Sequence, residues 1–280
     1  MATSSRYAFT WRLPMLIWQA AFFVVPLAFM AAISFWLVKN YRMEPDFILK
    51  NWSKMLGRGF FWDAYWITLW RASLAAVVIS FIAFPASYAL AYKVSETARR
   101  WAVFFLIVPF FTSYLVRTYA WQVILAENGV VNAVLGQVGL GPFTMLNTGF
   151  GAMIGYMTLT LPLVVVLQTF SLAGVDRNQI EAAWNLGCSP FRTIVQVIVP
   201  SARVGLIIGA VFCFILTFGD FVSPFYLGGS KPPTLSILII DTTKSGQQWP
   251  RAAVVALIMI ATLLFAAFAA VSAAYRKPVR

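Results

Sequence analysis

The sequence predicts an all-α fold, a polytopic membrane protein of about six transmembrane helices, on three observations. The 280 residues are 61% apolar and only 11% charged, with mean hydropathy +0.80, too little charge to wet the surface of a soluble domain. Apolar runs near the length needed to cross a bilayer recur along the chain, separated by charged or turn-rich breaks. The chain has no histidine, which removes zinc sites of the HExxH type, Ser-His-Asp and Cys-His arrangements and histidine bases together.

The runs give spans at 13–38, 66–92, 101–125, 150–170, 204–227 and 252–275. The first follows Arg6 and Arg12 and is longer than a signal-peptide core, with no small-residue cleavage site, so it reads as a retained span. One transmembrane domain then covers residues 1–280, without internal repeat, low-complexity region or soluble domain. The net charge of +12 reads as basic loops against anionic lipid rather than as a nucleic-acid surface. With both termini cytoplasmic, inside segments hold eleven Lys and Arg and outside segments eight, and Arg71 and Arg117 lie within spans. The local signal is sharper: 126–149 has no Lys or Arg, whereas the short link 93–100 packs in three.

Small residues four apart, Gly151 with Gly155, Gly205 with Gly209, and Ala83, Ser87 and Ala91, mark faces where helices approach closely in lipid. Cys188 and Cys213 fall in different predicted elements and read as small buried thiols, neither a disulfide nor a metal site. No catalytic or metal-ligating set emerges.

The informative stretch is 176–203, predicted to be a cytoplasmic loop between spans four and five, with the central text EAAWNLGCSPFRTIVQVIVP. Glu181, Ala182, Ala183 and Leu186 suit a short helix, Gly187 can take the positive φ that ends one, and Ser189-Pro190 starts another. The second helix is expected to be interrupted at Pro200.

Glu181, Ala182, Ala183, Gly187, Val197, Val199 and Pro200 have the spacing of the permease signature of binding-protein-dependent ABC importers, and at this point the sequence resembles that family. The segments FFTSYLVRTYAW (110–121) and FGDFVSPFYLGG (218–229), with Trp249-Pro250, make it most similar to the first permease subunit of spermidine/putrescine importers. The resemblance implies that the loop is a coupling helix seated on a separate ATP-binding subunit. It also implies a second homologous permease, a dimer of ATP-binding subunits, a periplasmic solute-binding protein and a bacterial inner-membrane location. No Walker-type GxxxxGK[ST] loop occurs, so this chain carries no cofactor, ATP and Mg being bound by the partner subunit. The chain is thus expected to be a translocation subunit and not itself an enzyme.

Charges within spans are costly and are candidate pathway residues. Arg71, Arg117 and Asp220 are expected about 10 to 13 Å below the outer helix ends at 1.5 Å per residue, in a shared layer. In one reading Asp220 attracts a cationic amine while Tyr114, Tyr119, Trp121, Phe221 and Tyr226 offer aromatic faces. In the other an Arg–Asp pair locks helices together. Two arginines against one acid fit a polyamine poorly, which leaves open an amino-acid derivative, an opine or a phosphonate. A secondary transporter would need ion-coupling residues and repeated halves, and an aspartyl protease a second membrane aspartate. Glu127 and Asp241, in predicted outer loops, read either as contacts for the binding protein or, in preference, as solvated charges.

Overall fold

The computed structural model describes the backbone of residues 2–275 and the side chains of 11–275. The side chain of Arg6 and the charges Arg276, Lys277 and Arg280, all counted as inside, lie outside the described residues. The chain divides into two compact units, one holding residues up to Trp62 with Leu238–Ala261, the other Asp63–Ile237 with the residues from Thr262 on.

In the first unit a helix runs through α1 (Ala2–Gln19), a π turn (Ala20–Val24) and α2 (Val25–Ile33). It ends before the expected limit at Val38, because the chain turns into a two-stranded hairpin of β1 (Leu37–Lys39) and β2 (Arg42–Glu44). Asn40 and Tyr41 both take positive φ, 48° and 62°, the conformation that matches a tight turn to the right-handed twist of its strands. Lys39 closes the hairpin onto Glu44 at 3.1 Å. Helix α3 (Lys50–Leu56) is pinned through its buried face. Asn51 Nδ2 donates to the carbonyls of Ser34 (3.0 Å) and Trp36 (2.8 Å), and Met55 is buried. Its other face exposes Lys50 and Lys54, which lie near Arg58 and Arg251 and are close enough that the Lys54 ammonium is held below the usual lysine range, chiefly by Arg251.

The second unit is built on α8 (Gly149–Ala173), packed against α11 (Val199–Gly219), α12 (Val222–Tyr226) and α5 (Glu96–Ile107). Helix α4 begins at Gly59, earlier than expected, and runs to Tyr92. Its Ala75, Ile79 and Ala83 share a core with Ala152, Tyr156 and Val164 of α8 and Cys213 of α11. Hydrogen bonds tie the same helices: Ser87 Oγ donates to Val165 O (3.1 Å), Gln168 Nε2 to Ser80 O (3.1 Å) and Ser171 Oγ to Ala202 O (2.9 Å). In lipid, where apolar burial between helices gains little, such bonds and close contacts carry the packing.

Two further spans differ from their expected form. The third is broken. After α5 comes a 3-10 turn (Val108–Phe111), extended backbone at Thr112, then α6 (Tyr114–Leu125) and α7 (Val130–Gln137), with a 93° bend between the two halves. Pro109, which has no N–H and whose ring opposes a continuing helix, sits at the break. Five helices are therefore long and apolar enough to cross a membrane, or up to six if the bent pair is one span. The fifth helix stops at Gly219, and Asp220 is extended (φ −69°, ψ 129°) rather than inside a continuous helix to Leu227. The fourth span, 149–173, and the last, α14 (Trp249–Tyr275), are close to expectation. Helix α13 (Leu235–Lys244) precedes the last span.

Candidate functional site

The segment 176–203 forms a helix, a turn and a second helix. Helix α9 (Arg177–Asn185) is capped by Asp176, whose Oδ1 accepts from the Asn178 N–H at 3.0 Å. It ends at Gly187, φ +81°, with the Cys188 N–H reaching back to Ala183 O at 3.0 Å. An L side chain in that region costs about 1–2 kcal/mol, so glycine is the residue the turn requires. Ser189 caps α10 (Pro190–Thr193), which continues through a π turn (Ile194–Ile198) into α11. Pro200 therefore does not interrupt the helix. It occupies the first turn of α11 directly after the π turn, whose wider i→i+5 bonding removes the carbonyl contact a proline ring would otherwise meet.

Burial divides the motif residues. Ile180 is buried with Leu172, Val175, Ile198 and Ala202, and Ala183, three residues on along the same face, is also buried. Glu181 and Ala182 are exposed, as are Trp184, Leu186 and Phe191, the last two by 84% and 76%. Ala183 is thus a packing residue, whereas Glu181, Ala182 and Leu186 are free to meet another surface. Beside them lies a cleft of about 280 Å³ lined in part by Tyr88, Tyr92, Arg177, Glu181 and Trp184. Cys188 is only half-buried, unlike Cys213, whose thiol donates to Thr160 Oγ1 at 3.3 Å.

A second group of polar residues gathers where α6, α8 and α12 meet. Asp220 is buried, and both its oxygens are occupied. Oδ1 accepts from the Val222 N–H (2.8 Å); Oδ2 accepts from the Tyr114 hydroxyl (2.8 Å), the Ser223 N–H (3.2 Å) and the Ser223 hydroxyl. Asp220 thereby caps α12, a role available to it only because α11 has ended. No ion pair joins Asp220 to an arginine among the described residues, so the Arg–Asp lock does not form in this chain.

Arg117 lies over the Tyr114 ring, its Cζ 5.7 Å from the centroid, and its Nη1 donates to Thr158 O at 3.0 Å. Arg71, twelve residues into α4, lies within electrostatic reach of Tyr156, which is in turn within reach of Asp220. Arg71 Nη1 and Arg117 Nε are buried with no hydrogen-bonding partner among the described residues. The depth inferred from straight helices does not apply, since α4 starts earlier and the third span is bent. Nearby, the Tyr119 and Tyr226 rings lie 5.1 Å apart, and Gln122 Nε2 donates to Tyr226 O at 2.7 Å. Half-buried Trp121 makes none of these contacts, and the Phe221 ring lies tilted against that of Phe225, 4.9 Å between centroids. Sequence reasoning passed over Ser223, Thr158 and Tyr156. A serine three residues after an aspartate at a helix break was the available signal for the first; nothing local marks the other two.

Residues 83–278 match the family described as binding-protein-dependent transport system inner membrane component. The chain is 25% identical to the spermidine/putrescine transport system permease protein PotB of Haemophilus influenzae, over 93% of this chain and 92% of the relative. It is 29% identical to PhnU of Salmonella typhimurium, a permease named for 2-aminoethylphosphonate transport, over 67% and 63% of the two lengths. In fold it is similar, with TM-score 0.74 and 15% identity over 96% of both chains, to a chain of a bacterial ABC transporter involved in the import of the acidic polysaccharide alginate.

Proposed function

The chain belongs to the family of binding-protein-dependent transport system inner membrane components, and from that premise we propose that it forms one half of a pathway carrying a small amine-bearing solute from periplasm to cytoplasm. It is a multi-pass permease subunit of an ABC importer, and it translocates solute rather than catalysing a reaction. Its proposed partners are a second permease of similar size, two ATP-binding subunits that hold ATP and Mg, and a periplasmic solute-binding protein, with both termini cytoplasmic.

The observation that carries the reading is the exposed part of the 176–203 segment. Trp184, Leu186 and Phe191 present apolar surface beside Glu181, where a cytoplasmic loop with no partner would be expected to bury it. Behind them, Ile180 seats the same helix on the core that includes Ala91, Leu172 and Ala202. A shift imposed on α9 from outside thus passes directly into the packing of α4, α8 and α11. ATP-driven closure of the partner subunits would bias the permease between outward- and inward-open states by this route.

The names of the relatives support the solute class, since spermidine, putrescine and 2-aminoethylphosphonate all carry an amine. Polyamines are its simplest members. Tyr119 and Tyr226 supply aromatic faces for such a group. The test is ATP hydrolysis by the complex purified with its neighbouring subunits: substituting Glu181 should leave the chain inserted but uncouple hydrolysis from the loaded binding protein. Unchanged stimulation in that variant would remove the coupling role.

A further inference from the structure

We infer that Arg71 and Arg117 form an acceptor for an acidic group of the solute, a carboxylate or a phosphonate, so that the cargo is a zwitterion rather than a polyamine; this rests on the importer reading above.

The argument is a count of donors and acceptors in the polar group around Tyr114 and Tyr156. Asp220 is its one acid, and its oxygens already accept from Tyr114, Ser223 and two backbone N–H groups. An incoming ammonium group, which only donates, meets an acid whose Oδ2 is fully engaged by Tyr114 and Ser223 and whose Oδ1 already accepts from the Val222 N–H. The arginines are in the opposite condition. Each guanidinium stays charged at any accessible pH, and each retains a buried nitrogen without a partner, Arg71 Nη1 and Arg117 Nε. A buried charged donor left unpaired is costly, and one within a membrane span more so. The group holds two cations and one anion, and each cation keeps a buried nitrogen without a partner among the described residues.

The surroundings fix the arginines rather than neutralise them. Arg117 is anchored by Nη1 to Thr158 O and lies over the Tyr114 ring, a pose that leaves its Nε edge for another partner. The Tyr156 hydroxyl lies within electrostatic reach of both Arg71 and Asp220, and Tyr114 is within reach of Tyr156. Arg117 thus sits on the Tyr114 ring, whose hydroxyl donates to Asp220, and Arg71 lies within electrostatic reach of Tyr156. A planar acid group matches the guanidinium fork, and two such forks suit a phosphonate or carboxylate.

The experiment uses the whole complex in lipid nanodiscs with its binding protein, and three probes: putrescine, 4-aminobutyrate and 2-aminoethylphosphonate. The first two are of similar length and differ in one end group, ammonium against carboxylate. ATP hydrolysis is expected to rise with an acid-bearing probe and not with putrescine. Arg71→Gln and Arg117→Gln should lower that stimulated rate about tenfold, and Arg117→Lys less, as expected for a charged hydrogen bond. Stimulation by putrescine equal to or above the others, no stimulation by either acid-bearing probe, or Gln variants that keep the full response would each overturn the inference. The probe comparison on the unaltered complex tests the class of solute, and the Gln and Lys variants, run with the same binding protein, test whether the two arginines receive its acidic group. Failure of the importer reading would look different, as hydrolysis indifferent to Glu181 substitution.

Discussion

Two helices of nearly equal apolarity have opposite surroundings in this protein. Trp11–Ile33 has mean hydropathy 2.1 in its most apolar window and none of that window is buried; Gly149–Ala173 has 2.0, with 39% buried. The difference lies in side-chain size and polarity. The first presents Trp18, Phe22, Phe23 and Phe29 outward, bulky groups equally at home in lipid. The second carries Gly151, Gly155, Thr160, Gln168 and Thr169, all buried. A Cβ on Gly155 would lie 2.5 Å from Ser223 Oγ, and one on Gly151 2.5 Å from Leu227 O. Hydropathy therefore reports which segments leave water, whereas small and hydroxylated residues report which faces meet protein.

The comparison is broken most severely by filling its close contacts. Gly155→Leu and Gly205→Leu drive a side chain into Ser223 and Ser171 respectively and should cost about 1–3 kcal/mol or more, read as lost folded yield and a lowered melting temperature in detergent. Ala21→Leu, in the unburied first span, should change neither. Next in size is coupling. Glu181→Ala and Gly187→Val should reduce solute-stimulated ATP hydrolysis about tenfold, within the usual range of coupling energies, while the chain remains inserted.

Asp220→Asn sharpens the contrast between a packing role and a pathway role. It removes the charge that Tyr114, Ser223 and the α12 N–H groups share and should destabilise by about 1.5–3 kcal/mol, measured by thermal unfolding. A variant of unchanged stability with altered solute preference would return Asp220 to the pathway. The smallest effect is expected from Phe23→Ala, within about 0.5 kcal/mol, since the ring is 65% exposed. A larger loss on assembly of the complex would show that this face meets a second permease rather than lipid.

The 176–203 segment was legible because its determinants are local: a glycine at positive φ and a Ser189-Pro190 start act over a single turn each, to which the structure adds an Asp176 cap. The hairpin after the first span was not, since Tyr41 in the left-handed region has no ordinary turn signature, although Asn40 hinted at it. Pro109 was a visible reason for the third span to break. Pro200 carried the same warning and broke nothing, because the π turn before it accommodates the ring. A proline's effect depends on the helical pitch just upstream, which its own neighbours do not announce.

By itself the sequence determined the solvent, the apolar segments, the helix–turn–helix form of 176–203 and the family that its residues resemble, all properties written in composition or in runs of a few residues. Only the tertiary structure decided which partners the charges of the predicted spans find. Asp220 and Tyr114 are 106 residues apart, and Arg117 and Thr158 are 41 apart. Whether a buried charge is satisfied depends on which donors and acceptors folding brings within about 3 Å of it, and those partners come from other helices.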